Sequence, residues 1–240
     1  MIPKIIHYCW FGNQPIPNHL QGCMLTWRKI LPDYTFIRWD ESNFDINSTI
    51  WTKEAYNARK FAFVSDYVRL VALQTMGGIY LDTDVVVKKT FNSLLNKHAF
   101  MGFENELYLT SAVMGFEPNF PLINEFLKFY EGKHFILEDG QLNNTANVIM
   151  MTEICKKYGL RIEDSYQETG DISFFPREFF CPLDFYHNNH ATSNTMTIHL
   201  FDASWLDKDT KSSIVIERKS FYKIFIKFKS FLKRIIMWMR

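Results

Sequence analysis

Cysteine is scarce in this chain: four of its 240 residues carry a thiol, Cys9, Cys23, Cys155 and Cys181. None of their spacings is typical of a metal site or a redox pair. Nothing at the N-terminus resembles a signal peptide, so we expect a cytosolic protein with reduced thiols. Long apolar runs are missing too, since no uncharged run approaches the roughly 20 residues that a membrane-spanning helix needs.

Internal repeats and low-complexity linkers are also absent. Hydrophobic side chains make up 47% and aromatic side chains 17% of the chain, including 23 Phe, which excludes a disordered protein. A length of 240 residues suffices for one sizeable α/β domain with a small appendage. We expect a main domain over 1–213 and a C-terminal element over 214–240.

Positive charge is concentrated in the C-terminal element. Residues 218–240 hold eight Lys or Arg and no acid, which leaves 19 basic and 26 acidic side chains in the rest of the chain. Apolar side chains recur there at helical spacing, at Phe221, Phe225, Phe228, Leu232, Ile235 and Met239. The pattern predicts a basic amphipathic helix on an anionic membrane surface, with the protein peripheral on the inner face of the membrane.

The basic element has two other interpretations besides membrane binding. The element packs on the acidic body, or it binds nucleic acid, for which no other basic or aromatic surface is apparent. We therefore expect no nucleic-acid partner. Sedimentation with anionic vesicles tests the membrane hypothesis, because a chain without 218–240 should no longer sediment.

The main domain alternates apolar strand patterns with helical patterns. Strands are predicted at 2–10, 34–39, 79–87, 99–103, 112–116, 162, 172–175 and 196–201, and helices at 19–30, 50–73 (one or two), 121–130 and 145–158. This alternation predicts an α/β fold whose mainly parallel sheet is covered on both faces. Ligands bind such sheets at the carboxyl ends of strands, where polar residues near Trp10, Asp84 and His199 follow predicted strands.

Two carboxylates follow the Gly77-Gly78 pair within one predicted strand. Side chains alternate along a strand, so Asp82 and Asp84 should project to the same side of the sheet. Two ionised carboxylates so close together repel each other unless a cation lies beside them. The spacing predicts a Mg²⁺ or Mn²⁺ site of the kind that holds a diphosphate.

A polar stripe interrupts the apolar helix that precedes the glycine pair. Ser65, Asp66 and Arg69 lie at positions that share one side of a helix. One interpretation is an intrahelical Asp66–Arg69 pair with a structural role. The other is a binding site in which Asp66 accepts from a ribose hydroxyl and Arg69 faces a phosphate or the aspartate pair.

Four motifs, in order from residue 2 to about residue 205, carry a family resemblance. They are IPKIIHYCWFG, LPDYTFIRWDESNFDIN, FVSDYVRL followed by GGIYLDTDV, and IHLFDASW. Together they resemble a family 32 glycosyltransferase of the DXD sugar-binding group, which includes bacterial capsular-polysaccharide and fungal mannosyltransferases and, more distantly, large clostridial glucosylating toxins. The resemblance implies a GT-A catalytic domain over 1–213 and a retaining transfer from a nucleotide-sugar.

The resemblance also implies residues that bind the donor. Trp10 would stack on its base, and Asp66, beside Ser65, would contact its ribose and sugar. Ser204 and Trp205 match a loop that closes over the diphosphate.

The metal residues follow from the same resemblance. Asp82 and Asp84 match the DXD pair, with Asp84 touching the metal and Asp82 contacting ribose or a metal-bound water. Arg69 would hold the donor sugar or the acidic pair. His199 stands where many GT-A enzymes supply a further ligand, and Asp202 competes with it.

The expected reaction moves a hexose from a nucleotide-sugar, with UDP favoured and GDP-mannose as the second option. The acceptor would be a growing cell-surface polysaccharide, such as a capsule, or a lipid-linked oligosaccharide. Candidate sugar contacts are Glu104, Asn105, Gln141 and Asn144, although an exposed position on the protein surface explains these polar residues equally well. The oligomeric state, the linkage and any nucleophile are left open.

Three other functions compete with glycan synthesis. A toxin-like enzyme would glycosylate protein instead of glycan. A haloacid-dehalogenase-type phosphatase would use Asp82 as its nucleophile, but such proteins carry the motif after their first strand. A non-catalytic, membrane-associated scaffold would use the acidic pair as a structural cation site.

Overall fold

The computed structural model describes residues 1–183 and 189–202, all within a compact unit that runs from Met1 to Asp202. The predicted helix over 214–240, the end of the domain predicted to close at residue 213, and the predicted donor loop at Ser204 and Trp205 lie outside the described residues. No helix among the described residues is both long enough and apolar enough to cross a bilayer.

The element order alternates strands and helices, as the sequence predicts. The strands are β1 (Ile5–Cys9), β2 (Thr35–Trp39), β3 (Gly78–Leu81), β4 (Val85–Val87), β5 (Ala99–Gly102), β6 (Val113–Phe116), β7 (Gln167–Thr169), β8 (Ile172–Phe175) and β9 (Thr197–His199). The helices are α1 (Asn18–Ile30), α2 (Ile50–Asn57), α3 (Phe61–Met76), α4 (Pro121–Lys128), α5 (Asn147–Lys157) and α6 (Arg177–Phe180), with a short 3₁₀ turn over Asn92–Leu94.

A seven-stranded sheet in the order β2-β1-β3-β6-β5-β8-β7 forms the centre of the described unit. Strands β1, β2, β3, β5 and β8 run in one direction, and β6 and β7 run against them. The carboxyl ends of β1, β3 and β5 therefore share one edge, where this class of sheet binds ligands. The predicted, mainly parallel α/β sheet is confirmed.

Apolar clusters cover both faces of the sheet. Adjacent strand residues point to opposite faces, and Ile79 belongs to the cluster with α1 and β4, whereas Tyr80 belongs to the cluster with α2 to α5. All four cysteines are free and buried in this interior.

The glycine pair forms the tight connection between the end of α3 and the start of β3. Gly77 and Gly78 have φ angles of 62° and 105°, which side chains with a Cβ rarely adopt. A Cβ on Gly78 would lie 2.7 Å from the Ile5 carbonyl oxygen of β1. Buried His7 holds the junction, because its Nε2 donates to the Gly77 carbonyl at 2.7 Å and its Nδ1 accepts from Trp39 Nε1 at 3.1 Å.

Two predicted elements have different bounds. The helical pattern over 50–73 forms two helices, separated at Arg59, whose φ of 58° interrupts the spiral. The single strand predicted over 79–87 is wrong: β3 ends at Leu81, a turn follows in which the Val85 N–H donates to the Asp82 carbonyl at 3.1 Å, and β4 leaves the main sheet to pair with β9.

Residue 162 is not in a strand either, and the sequence pattern missed β7. This edge strand is three residues long and reads Gln-Glu-Thr, so it offers no apolar alternation. Among the described strands it pairs with β8 alone, and it lies at the opposite end of the sheet order from β2, β1 and β3. The error therefore leaves the predicted site unchanged.

Candidate active site

Asp82, Asp84 and His199 converge where β3 gives way to β4. Each offers one ligand atom, and these atoms all lie within 4.8 Å of one another. The two aspartates reach this arrangement across the turn between β3 and β4, and β9 brings His199 next to them by pairing with β4. Two carboxylates and an imidazole are a donor set that suits Mn²⁺, so the residues present fit the predicted cation.

Asp84 is buried and is held from two sides. Its Oδ2 accepts from the Asp202 backbone N–H at 2.8 Å and lies 3.3 Å from His199 Nε2. Burial opposes ionisation of Asp84, but His199 and the Asp202 amide outweigh it and lower the pKa to about 2. Burial likewise disfavours the charged form of His199, yet Asp84 raises its pKa well above the ordinary value.

Asp202 lies beside the metal-ligand group and has other partners. Asp202 donates its backbone N–H to Asp84, while its Oδ1 lies 3.2 Å from His19 Nε2 on α1. The compact group that could hold a metal contains His199 and not Asp202. The ring of His199 also packs on Phe201, with centroids 4.2 Å apart.

Arg69 is buried and bonded at every nitrogen. Its terminal NH2 group lies 2.9 Å from Asp66 Oδ1 and 3.3 Å from Asp82 Oδ1. Its NH1 donates to the carbonyl and hydroxyl of Ser111 at 2.7 and 3.0 Å, and its Nε donates to the Ser65 carbonyl at 3.2 Å. Arg69 therefore pairs with Asp66 within its helix and also with Asp82, while the predicted contact of Asp66 with a ribose stays a prediction. Such a guanidinium positions Asp82.

Three residues that the sequence analysis did not single out complete this network. Asn147 at the start of α5 donates to Asp66 Oδ1 at 2.9 Å, and the Ser111 hydroxyl donates to Asn147 Oδ1 at 3.1 Å. The Tyr80 hydroxyl donates to Asp82 Oδ1 at 2.9 Å. Tyr80 lies two positions before Asp82, a spacing that could have revealed it, whereas no local pattern marks Ser111 or Asn147.

The surroundings of Asp66 shift the pKa of its carboxyl group. Burial raises the pKa to about 6, Arg69 acts to lower it and the charge of Asp82 raises it further. Asp66 and Asp82 share a single guanidinium, so the side-chain stripe of α3 is joined to the metal-ligand group.

The side chains of Trp10 and Ser65 bond to nearby backbone carbonyls and not to the metal-ligand group. Trp10 follows β1 at the same edge of the sheet, half-buried, with its indole N–H donating to the Gln14 carbonyl at 2.6 Å. The Ser65 hydroxyl donates to the Phe61 carbonyl at 3.0 Å within α3. Their predicted roles toward a donor stay predictions.

The candidate sugar contacts separate into different environments. Asn105 uses its Oδ1 to accept from the backbone N–H groups of Leu107 and Tyr108, which shapes a turn. Gln141 is exposed in the segment that precedes α5. Glu104 is half-buried at the carboxyl end of β5, on the edge that carries the aspartates.

Comparisons with known proteins agree with this geometry. A family model described as the glycosyltransferase sugar-binding region containing a DXD motif matches residues 17–101. The chain is 32% identical over 131 residues to inositol phosphoceramide mannosyltransferase 3 of Schizosaccharomyces pombe, a match that covers 53% of this chain and 36% of that protein. It is 27% identical over 253 residues to an uncharacterized glycosyltransferase of Acanthamoeba polyphaga mimivirus, covering 94% of this chain and 92% of the other.

The solved structure of the PaToxG glycosyltransferase superimposes with a TM-score of 0.50 at 19% identity, covering 65% of this chain and 69% of that chain. This likeness concerns the fold, which is the GT-A fold. The chain spans little more than a third of the fungal mannosyltransferase it matches. The chain therefore has its DXD residues at the carboxyl end of a GT-A sheet, and its residues 17–101 are similar to the sugar-binding region of DXD glycosyltransferases.

Proposed function

We propose that this enzyme transfers a hexose from a nucleotide-sugar to a glycan acceptor in a reaction that needs a divalent cation. The observation that carries the proposal is the convergence of Asp82, Asp84 and His199 at the edge where GT-A sheets bind ligands. A phosphatase or a scaffold fits this chain less well, because the DXD family match and the fold belong to glycosyltransferases.

Asp82, Asp84 and His199 would hold Mn²⁺ or Mg²⁺ against the diphosphate. The chemistry that such a cation supplies when bound is stabilisation of negative charge on the departing diphosphate. Arg69 keeps Asp82 oriented by pairing with it at 3.3 Å, and the Asp202 amide keeps Asp84 oriented at 2.8 Å. Preorganised ligands of this kind lower the cost of assembling the charged site during the reaction.

Donor-binding residues extend along the sheet edge and α3. Trp10 would stack on the base, and Asp66 would accept from the ribose or the sugar. Ser204 and Trp205 would close over the diphosphate. Trp10 lies at the carboxyl end of β1, next to β3, which supports placing the base on that side of the aspartates.

The donor and acceptor are proposed from chemistry and from the relatives' names. UDP-hexoses are the first candidates and GDP-mannose the second, and mannose gains support from the mannosyltransferase name of the fungal relative. That name also specifies a lipid, inositol phosphoceramide. It supports a lipid-linked acceptor over a capsular polysaccharide, consistent with a protein held on the membrane through residues 218–240.

The test is a thermal-shift screen of UDP- and GDP-sugars with Mn²⁺, followed by hydrolysis of the nucleotide-sugar that stabilises the protein most. We expect a rise in melting temperature that needs both Mn²⁺ and nucleotide, and hydrolysis that EDTA abolishes. Asp139→Asn, in an exposed loop, is the matched control and should behave as wild type. No response to any of these nucleotide-sugars with Mn²⁺ would refute the proposal.

A further inference from the structure

Glu104 lies on the active-site edge of the sheet without a role in the network described above. It lies two residues after the end of β5, and its backbone N–H donates to the Tyr108 carbonyl at 2.8 Å. A bridge between Phe103 and Leu109 closes the same short loop. The position of Glu104 is therefore fixed by the sheet and by a paired loop.

The carboxylate of Glu104 has no hydrogen-bond partner among residues 1–183 and 189–202. The side chain is half-buried, and burial raises its pKa, while His199 acts to lower the pKa and Asp82 to raise it. Glu104 therefore lies in the electrostatic field of the metal-ligand group without touching it. A carboxylate kept partly from water and left unpaired costs free energy, which a bound ligand can recover.

Its neighbours in the loop have structural partners instead. Asn105 accepts from two backbone N–H groups, and Glu106 pairs with Arg177 at 2.6 Å. Glu106 is 73% exposed, whereas Glu104 is half-buried and lies within the electrostatic influence of His199 and Asp82. This contrast indicates that the Glu104 side chain, unlike those of its neighbours, does not stabilise the loop.

The strand order gives the direction in which a donor would reach Glu104. Trp10 follows β1 on one side of β3, and Glu104 follows β5 on the other side, two strands and about 10 Å away from β3. A nucleotide-sugar is a linear molecule with base, ribose, diphosphate and sugar in sequence. On the proposed function, with the base at Trp10 and the diphosphate at the aspartates, the sugar extends toward Glu104.

We propose that Glu104 is a catalytic residue that accepts hydrogen bonds from hydroxyls of the donor sugar and stabilises positive charge on its ring during transfer. The bond from the anomeric carbon to the diphosphate breaks, and its electron pair stays on the phosphate oxygen. The acceptor hydroxyl oxygen forms the new bond and gives its proton to that phosphate oxygen. Glu104 forms no covalent bond and ends unchanged.

The experiment compares Glu104→Gln with wild type in the full-length chain, using the nucleotide-sugar that the wild type hydrolyses. We expect kcat to fall by about 100-fold or more, because one preorganised charge is lost from the transition state. Calorimetric affinity for the matching nucleoside diphosphate with Mn²⁺ should stay within about twofold of wild type. Glu104→Asp, which keeps the charge on a shorter arm, should retain more activity than Glu104→Gln.

Glu106→Gln is the matched control, since it removes one charge from the same loop at an exposed position. It should leave kcat and diphosphate affinity unchanged, and thermal unfolding should show that all variants fold. A kcat for Glu104→Gln within threefold of wild type would overturn the inference. An equal loss of diphosphate affinity would also overturn it, because Glu104 would then serve the cation or the diphosphate. Wild type without turnover on any donor would instead refute the proposed function.

Discussion

The two aspartates of the DXD motif are supported by different parts of the molecule. Asp82 directly follows β3 of the main sheet and is held by Tyr80 of that strand and by Arg69 of α3. Asp84 precedes β4 and is held by His199 and the Asp202 amide, both of which belong to or follow β9. One ligand belongs to the core, and the other belongs to a two-stranded arm.

The difference shows how a three-residue motif can connect the main sheet to a separate two-stranded arm formed by β4 and β9. The arm has three residues in each strand, and within residues 1–183 and 189–202 β4 and β9 pair only with each other. The Asp82 side rests on α3, whose buried guanidinium also binds Ser111 and Asp66. We therefore expect changes at Asp84 to damage metal binding more than folding, and changes around Asp82 to damage both.

The largest effect on catalysis is expected from Asp84→Asn. The variant keeps an oxygen to accept from the Asp202 amide but loses the charge that a cation needs. We expect the initial rate of nucleotide-sugar hydrolysis to fall by about 1000-fold, equivalent to about 4 kcal/mol, with little change in melting temperature. The measurement is the initial rate at saturating Mn²⁺, together with thermal unfolding.

Asp82→Asn sharpens the comparison, because it also removes a carboxylate from Arg69. Its melting temperature should fall more than that of Asp84→Asn, while both lose activity. Retention of more than about a tenth of the wild-type rate by Asp84→Asn would contradict a direct role in metal binding.

Much of the fold could be predicted because its signals are local. The apolar run of α3, the glycine pair after it and the apolar strands around it determine β3, and the structure confirms them. The break after Leu81 could not be predicted from the run Leu81-Asp-Thr-Asp-Val85. It depends on β4 finding a partner in β9, more than 100 residues later, and strand pairing at that separation leaves no mark on the local pattern.

The residues of the site likewise fall into those that local spacing predicts and those that only tertiary packing brings together. Spacing alone identified the acidic pair and the stripe at Asp66 and Arg69, since both are short-range patterns. Ser111, in the loop before β6, and Asn147, at the start of α5, reach that stripe as a consequence of tertiary packing, and a lone Ser or Asn in a sequence has many other uses. The family resemblance supplied His199, which periodicity could not have separated from a structural histidine.

A large effect on stability is expected from Arg69→Lys. Lysine keeps the charge but lacks the planar fork that reaches Asp66, Asp82 and Ser111 together. We expect the free energy of unfolding to fall by about 2–3 kcal/mol, measured by urea denaturation. Activity should fall as well, because Asp82 loses its fixed orientation.

Arg161→Lys provides the control, because Arg161 is exposed and pairs with Glu163 at the surface. It should change the unfolding free energy by no more than about 0.5 kcal/mol. An Arg69→Lys protein as stable as this control would show that the network around Asp82 contributes little to the fold, and the contrast between the two aspartates would disappear.

The smallest effect is expected from His199→Gln, which tests the arm directly. Glutamine can still accept or donate a hydrogen bond but is a poorer metal ligand than imidazole, so Mn²⁺ affinity should fall by about 10- to 100-fold. Manganese titration followed by electron paramagnetic resonance measures this loss, with His134→Gln, an exposed histidine paired with Glu54, as the control. Asp202→Asn should weaken Mn²⁺ binding less, because Asp202 holds Asp84 through its backbone N–H, which the substitution keeps. The reverse ranking would make Asp202 the ligand and His199 its support.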